Sequence, residues 1–139
     1  MFGSLDISVS AVTAQRTRID TIAGNIANAS ATADPAGDEP LYRRRVALFS
    51  PGDTADGRNA PGVHVARIIE DPAGPRYVFD EFHPHAIRSG PRKGYVAYPN
   101  VDLATEMINA MEAVRAYEAN ITVMDMTKTM ASAQLELLT

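Results

Sequence analysis

The sequence predicts an α+β protein in which a long helix at each end of the chain encloses a small β-rich segment. Three observations predict it: apolar residues recur at alternating intervals of four and three near both termini, all nine prolines lie between Pro35 and Pro99, and short runs with strand-type alternation occupy that same interval. The predicted units are an N-terminal helix in residues 1–30, a β-rich middle segment in residues 31–99 and a C-terminal helix in residues 100–139.

The C-terminal segment carries the longer apolar stripe. Its intervals are those of the a and d positions of a coiled coil, at which side chains pack against a neighbouring helix. No Pro or Gly occurs from Asn100 to Thr139, so the helix can extend over about 55–60 Å. Asn100 or Asp102 is the predicted N-cap. The stripe consists of Leu103, Met107, Ala110, Val114, Tyr117, Ile121, Met124, Lys128, Ala131, Leu135 and Leu138.

The N-terminal segment has a matching stripe, which predicts an amphipathic helix from about Ser4 to Asn28. The two helices are expected to form an antiparallel, coiled-coil-like pair, and the longer C-terminal helix leaves part of its stripe without an internal partner. Asn25 and Asn28 lie where the first helix should end, and Asn tolerates the left-handed backbone conformation that terminates helices. The N-terminal stripe consists of Leu5, Val9, Val12, Arg16, Ile19, Ala23 and Ile26.

A basic residue interrupts each stripe. If Leu5 lay opposite Leu138, Arg16 would fall beside Lys128, and the two positive charges would repel each other. Either nearby carboxylates, Asp20 and Asp125, neutralise them, or the partner of each stripe is another subunit. Both explanations remain open at this point.

The middle segment predicts short strands separated by turns. One basic run, Arg43-Arg44-Arg45, falls in the first strand. Because consecutive residues of a strand point to alternate faces, we interpret the run as solvated charge at a sheet edge. The predicted strands are Tyr42–Phe49, Val63–Ile69, Arg76–Phe82 and Gly94–Tyr98, and the predicted loops are Asp34–Pro40, Pro51–Gly62 and His83–Lys93.

Composition excludes several classes of function. The formal net charge of −4 over 139 residues and a pI near 5.3 argue against a protein that binds nucleic acid through general phosphate attraction. The absence of Cys excludes disulfides and cysteine-based metal or nucleophile sites. We also find no phosphate-binding glycine loop, nucleophile elbow or matched acid–base pair, so we expect no enzyme, cofactor or small-molecule substrate. With no secretory signal pattern or membrane-length apolar run, we expect a cytoplasmic chain, or one exported without a cleaved signal.

The segment from Asp80 to His85 is the one candidate metal site. Two imidazoles, His83 and His85, lie near carboxylates, and such groups bind zinc-like ions. Pro84 separates them, however, and no third strong ligand is fixed by spacing. We therefore favour loop packing and capping for these residues and predict no metal site.

Many short motifs, in order along nearly the whole chain, resemble those of bacterial flagellar rod proteins. Three motifs resemble the N-terminal signature of rod and hook proteins: Asp6-Ile7-Ser8, Ala14-Gln15-Arg16 and Asn25-Ile26-Ala27-Asn28. Further motifs resemble those of rod proteins in particular. They are Tyr42-Arg43-Arg44, His83-Pro84, Gly94-Tyr95-Val96, Pro99-Asn100-Val101, Glu106-Met107, Arg115-Ala116-Tyr117-Glu118-Ala119-Asn120 and Leu135-Glu136-Leu137-Leu138. The chain departs from that pattern at His85, at Ile87–Lys93, which is longer and more basic, and at Ala29–Glu39.

The resemblance implies a non-enzymatic structural subunit of the proximal rod in the flagellar basal body. Such subunits leave the cytoplasm unfolded through the flagellar type III export apparatus, without a cleaved signal, and stack helically across the periplasm to transmit torque. The implied partners are further copies of the chain, other rod subunits, a protein joining the rod to the membrane ring, and the export apparatus. Alternatives are another rod or ring-junction component, a cytoplasmic helical adaptor, and a small metal-dependent enzyme at His83 and His85.

The terminal helices are the predicted assembly interface. We expect the isolated monomer to have a folded middle segment and frayed ends that become helical on assembly. The residues predicted to form the interface are Leu5, Val9, Val12, Ile19, Asn25, Ile26, Asn28, Met107, Val114, Tyr117, Ile121, Met124, Leu135 and Leu138.

Overall fold

The computed structural model describes residues 2–52 and 62–136 and confirms the predicted α+β fold, with a long helix on either side of a small β segment. The strands form two separate two-stranded sheets. In chain order the elements are α1 (Phe2–Ala27), β1 (Arg45–Pro51), β2 (Val63–Glu70), β3 (Arg76–Phe79), β4 (Tyr95–Tyr98) and α2 (Leu103–Glu136).

Asn28 ends α1 through its side chain. Its amide Nδ2 donates to the carbonyl of Gly24 at 2.8 Å, and its backbone N–H donates to the same oxygen at 3.1 Å. No non-glycine residue in the described ranges has a positive φ, so the expected left-handed asparagine at this helix end is wrong. A second hydrogen bond to the Gly24 carbonyl, from the Asn28 side chain, is found at this helix end instead.

Asp102 caps the start of α2, as one of the two predicted positions. Its carboxylate accepts hydrogen bonds from the Thr105 hydroxyl at 2.6 Å and the Ala104 N–H at 3.2 Å. These bonds favour the ionised carboxylate and lower the pKa of Asp102 below its ordinary value. Negative charge at this position also interacts favourably with the helix dipole.

Two contacts give the direction of the helix pair. Asn25 of α1 hydrogen-bonds to Glu106 of α2, and Arg18, two turns earlier, pairs with Glu112 at 3.6 Å. Contacts that move backwards along α1 therefore move forwards along α2, as in an antiparallel pair. Continued at the same rise per residue, this register places the start of α1 opposite about residue 128, so about two turns of α2 extend beyond α1.

This register differs from the one considered from the sequence. Leu5 lies opposite about residue 125 rather than Leu138, and Leu138 itself is outside the described residues. Arg16 and Lys128 are both exposed to solvent and are separated by more than ten residues of helix in this register. The expected repulsion between them within one protomer is therefore wrong.

The helix faces that meet are also rotated relative to the predicted stripes. The buried residues of α2 are Glu106 and Ala113, whereas Val114 and several other large stripe residues face solvent. On α1, Ala14 is buried and Val9 is exposed. Ile22 of α1 is buried as well, although it is not a member of the predicted stripe. The prediction selected large apolar side chains and therefore placed outward-facing residues in the helix contact.

The first sheet packs on α1. Its strands β1 and β2 are antiparallel, with Arg45 opposite Glu70 and a register shift between Leu48 and Phe49. The predicted strand from Tyr42 begins later, at Arg45, because the residues before it bind the helices through their side chains. Neither described helix is long and apolar enough to cross a lipid bilayer.

The second sheet is a short hairpin in which β3 and β4 are antiparallel. Strand β3 ends at Phe79, before the predicted Phe82, because the Asp80 carboxylate accepts the N–H of Phe82 at 3.2 Å and turns the chain. Val96 of β4 is completely buried, and Pro99 and Val101, which lead into α2, are buried as well.

Candidate functional site: a polar cluster and an exposed helical surface

Asn25 is the centre of a buried polar cluster. Its side chain is 0% exposed, and its amide donates to the Arg45 carbonyl at 2.8 Å and to Glu106 Oε2 at 2.9 Å. Its Oδ1 accepts the Arg45 N–H at 2.8 Å and the Tyr42 hydroxyl at 2.9 Å. Both amide protons and both acceptor positions are thus used, which removes the cost of burying a polar side chain.

Glu106 provides the charge of the cluster. This carboxylate is 1% exposed, and its Oε1 accepts two hydrogen bonds from Arg44, at 2.9 Å from Nε and 2.7 Å from an Nη. Arg44 also pairs with Asp71 at 3.5 Å, just after β2. A buried carboxylate requires a partner of this kind, because an isolated charge in the interior is strongly unfavourable.

The environment keeps the two ionisable donors of the cluster, Tyr42 and Arg44, in their protonated forms. Burial raises the pKa of Tyr42; Arg45 opposes this, while Glu106 and Glu70 reinforce it. For Arg44, burial alone would lower the pKa, but the hydrogen bonds and negative charges of Glu106 and Asp71 outweigh it, and the pKa is raised. The phenol and guanidinium therefore remain hydrogen-bond donors over the physiological pH range.

The cluster joins three parts of the fold: α1 through Asn25, the segment that leads into β1 through Tyr42 and Arg44, and α2 through Glu106. It corrects the interpretation of the basic run as solvated edge charge. Arg43 and Arg45 are exposed, but Arg44 is bound inside the cluster. The signal that could have found it is an arginine in a buried strand entry together with a glutamate on the contact face of the opposite helix.

Large apolar side chains remain exposed on α2 and form two stripes at helical spacing. The proximal stripe lies in the half nearer the sheets, and the distal stripe lies in the half nearer the C-terminus. Single exposed apolar residues are ordinary, but contiguous exposed rows mark interaction surfaces. The proximal stripe consists of Leu103, Met107, Met111 and Val114, and the distal stripe of Val123, Met126 and Met130, with exposures between 40% and 64%.

The structure divides those predicted interface residues that it describes into three groups by exposure. Val9, Met107, Val114 and Leu135 are exposed, whereas Asn25 is buried inside the protomer. Leu138 lies outside the described residues. Those that are half-buried are Leu5, Val12, Ile19, Ile26, Asn28, Tyr117, Ile121 and Met124. The sequence did not identify Met111 as a member of the proximal stripe, or Ala113 and Glu106 as the buried residues of α2.

His83 and His85 make loop contacts. His83 Nδ1 accepts the backbone N–H of His85 at 3.1 Å, and His85 Nδ1 lies 2.9 Å from the Thr32 hydroxyl. Their rings pack edge to face with centroids 5.5 Å apart. Within residues 2–52 and 62–136, no group of three or more potential ligands comes together around a metal position.

Two long terminal helices with exposed apolar rows, joined to a small β segment, are the features of a subunit that assembles by packing its helices against those of other subunits. Two matches to protein families agree with this class. Residues 5–33 match the family described as "Flagella basal body rod protein", and residues 92–137 match "Flagellar basal body rod FlgEFG protein C-terminal". The matched segments contain most of α1 and all of α2.

Relatives over nearly the full chain specify the family. The chain is 39% identical to flagellar basal-body rod protein FlgC of Borreliella burgdorferi, over 99% of this chain and 97% of the relative. It is 40% identical to FlgC of Yersinia enterocolitica, over 95% and 93%, and 38% identical to FlgC of Bacillus subtilis, over 98% and 97%. The chain belongs to the FlgC family of flagellar basal-body rod proteins. It is a structural subunit of the basal body, not an enzyme, and assembles with other basal-body components.

Proposed function

We propose that this chain is a subunit of the proximal rod that assembles helically through its terminal helices and transmits torque across the periplasm. The observation that carries the proposal is the proximal stripe, a row of large apolar side chains that faces solvent in the protomer. Burial of such a row on a neighbouring helix would contribute about 25 cal/mol per Å² of apolar surface. Further copies of the chain and other rod subunits supply that helix.

In this proposal residues 1–30 and 100–139 form the helical core of the rod, and residues 31–99 lie outside it. The antiparallel contacts support a division of the surface of α2: one face packs on α1, and the two stripes remain for neighbours. The predicted interface residues that are half-buried on α1 and α2 then contribute at the edges of the same contacts. A protein at the membrane ring and the export apparatus are the further proposed partners, with export that needs no cleaved signal.

The polar cluster supports the transmission of torque. It ties α1, α2 and the first sheet together through hydrogen bonds whose donors and acceptors are all used at Asn25. Directional bonds of this kind resist rotation of one element against another more than apolar contacts do, because the latter have no preferred direction. Asn25 thus serves the assembly from inside the protomer, through the shape of the subunit.

The test is the replacement of Val114 by Asp. We expect the variant to lose incorporation into detergent-extracted basal bodies and to abolish motility, because a carboxylate in the proximal stripe would be buried unpaired at the contact. Its far-UV circular dichroism should match the wild type, since Val114 is exposed in the protomer. Thr122→Asp is the matched control: it places the same charge at an exposed position of α2 outside both stripes. Normal incorporation of Val114→Asp contradicts the proposal.

A further inference from the structure

The loop between β3 and β4 carries a groove of about 470 Å³ whose lining includes Phe82, Arg88 and Lys93. Phe82 is 97% exposed, and Phe79, at the end of β3, is 61% exposed. In the described part of the chain, neither Arg88 nor Lys93 has a carboxylate within ion-pair distance. Glu81 also lines the groove, so two cations face one carboxylate. An exposed aromatic ring beside unpaired cations is the composition of a docking site for an acidic segment.

An acidic segment of matching chemistry lies elsewhere on the same chain. Every residue from 34 to 40 is exposed, and Asp38 and Glu39 are followed by Pro40. Asp34 folds this loop, since its Oδ1 accepts the Ala36 N–H at 2.9 Å and its carbonyl accepts the Gly37 N–H at 3.0 Å. Asp38 and Glu39 form no ion pair with any described residue. The loop therefore presents two free carboxylates and a proline on an ordered turn.

The groove and the acidic loop do not bind each other within the protomer. The contact between Thr32 and His85 brings the start of the loop to the β3–β4 segment, yet Asp38 and Glu39 remain unpaired. Two different surfaces of one chain that are complementary, but do not bind each other within the protomer, can pair between copies. Such a contact is heterologous and, when it repeats without closing, generates an open helical array.

We propose that the groove lined by Phe82, Arg88 and Lys93 receives the loop containing Asp38, Glu39 and Pro40 of a second copy of this chain. This rests on the proposed function and adds a second contact between rod subunits, outside the helical core. Exposed ion pairs contribute little free energy each. The contact therefore fixes the orientation of neighbouring middle segments, while the apolar stripes supply most of the affinity.

Because the chain has no cysteine, introduced thiols report the contact without background from the chain itself. Cells that produce Asp38→Cys and Arg88→Cys as two separate full-length chains provide the basal bodies. Oxidation should give a disulfide-linked dimer with one copy of each variant, which an intramolecular contact cannot produce. Asp38→Cys with Glu118→Cys, an exposed position on α2, should give none.

Basal bodies that contain both cysteine variants but yield no Asp38–Arg88 dimer overturn this proposal and leave the proposed function intact. Equal dimer formation by the Glu118 control pair also overturns it, because the thiols then meet without a specific contact. If the wild-type chain is absent from purified basal bodies, both proposals fail.

Charge exchange gives a second measurement. Arg88→Glu should lower incorporation about two- to fivefold, and adding Asp38→Arg to the same chain should restore it, because the exchanged charges attract again between neighbours. A double variant with a wild-type circular dichroism spectrum that does not recover incorporation overturns the proposal.

Discussion

Replacement of Glu106 by Ala tests the polar cluster. The change removes a carboxylate that accepts two hydrogen bonds from Arg44 and one from Asn25. It leaves one proton of the buried Asn25 amide without an acceptor and the Arg44 guanidinium without its main counter-charge. Glu112→Ala is the matched control, since Glu112 is a helical glutamate that pairs with Arg18 at 3.6 Å but has 64% of its side chain exposed.

The magnitude follows from burial and from the partners that remain. Removal of one member of a buried ion pair costs about 3–5 kcal/mol. Arg44 keeps its contact with Asp71, and 24% of its side chain is exposed, so we expect about 3 kcal/mol, at the low end of that range. Glu106→Gln retains one acceptor for Arg44 but turns an amide donor toward the Asn25 amide, and should cost about 2 kcal/mol. The exposed Glu112 pair should contribute less than about 0.5 kcal/mol.

Urea unfolding of the full-length protein, followed by far-UV circular dichroism, measures these differences as shifts in the transition midpoint at constant slope. The expected order of destabilisation is Glu106→Ala, then Glu106→Gln, then Glu112→Ala. A Glu106→Ala variant within 1 kcal/mol of the wild type would refute the reasoning. It would mean that water replaces the hydrogen bonds of Glu106 with Arg44 and Asn25 at little cost in the free energy of unfolding.

Three further predictions concern the helix ends and the turns. In hydrogen exchange on the dilute monomer, amides of 120–136 should exchange fast while those of 103–113, beside the polar cluster, exchange more slowly; strong protection along the whole of α2 would show that the ends need no neighbour. Gly94→Ala should destabilise the fold by about 1–3 kcal/mol in urea unfolding, because Gly94 has φ +82 and a Cβ there would lie 2.7 Å from the Phe79 ring. Gly74→Ala is the control and should not destabilise the fold, since no atom lies within 4 Å of its new Cβ. The pKa of Asp102 is lower in the folded chain than its ordinary 3.8, so the stability that its carboxylate contributes is present above pH 3.8 and is lost as pH falls through the folded pKa. The Asp102→Ala variant should lack this acid-dependent loss of helix content. An acid titration by circular dichroism that is the same for the variant and the wild type would contradict the cap.

The helices, the strands and the class of protein could be predicted from the sequence because each depends on local order. An apolar period of four and three, together with the absence of Pro and Gly after Asn100, is sufficient for a long helix. Strand ends were less accurate: β1 begins at Arg45 rather than Tyr42, and β3 ends at Phe79 rather than Phe82. Side chains that bind distant residues decide those ends, as Tyr42 does with Asn25.

The candidate site could be predicted from the sequence only in part. Val114 and Met107 were identified as surface for a partner because large apolar residues at regular spacing need burial somewhere. The polar cluster was not identified, since Asn25 and Glu106 are 81 residues apart and no local pattern relates them. The middle-segment groove likewise requires Phe82 and Lys93 to be brought together by a folded loop.

Sequence alone therefore determined that this chain has two long terminal helices with more apolar surface than one protomer can bury, and that it resembles flagellar rod proteins. Tertiary structure decided which face of each helix is internal. Periodicity specifies the angle between residues around a helix axis but not the direction in which the resulting face points. That direction is set by the contacts made within the protomer, among them the ion pair between Arg44 and the buried Glu106, which leave the large apolar side chains outside.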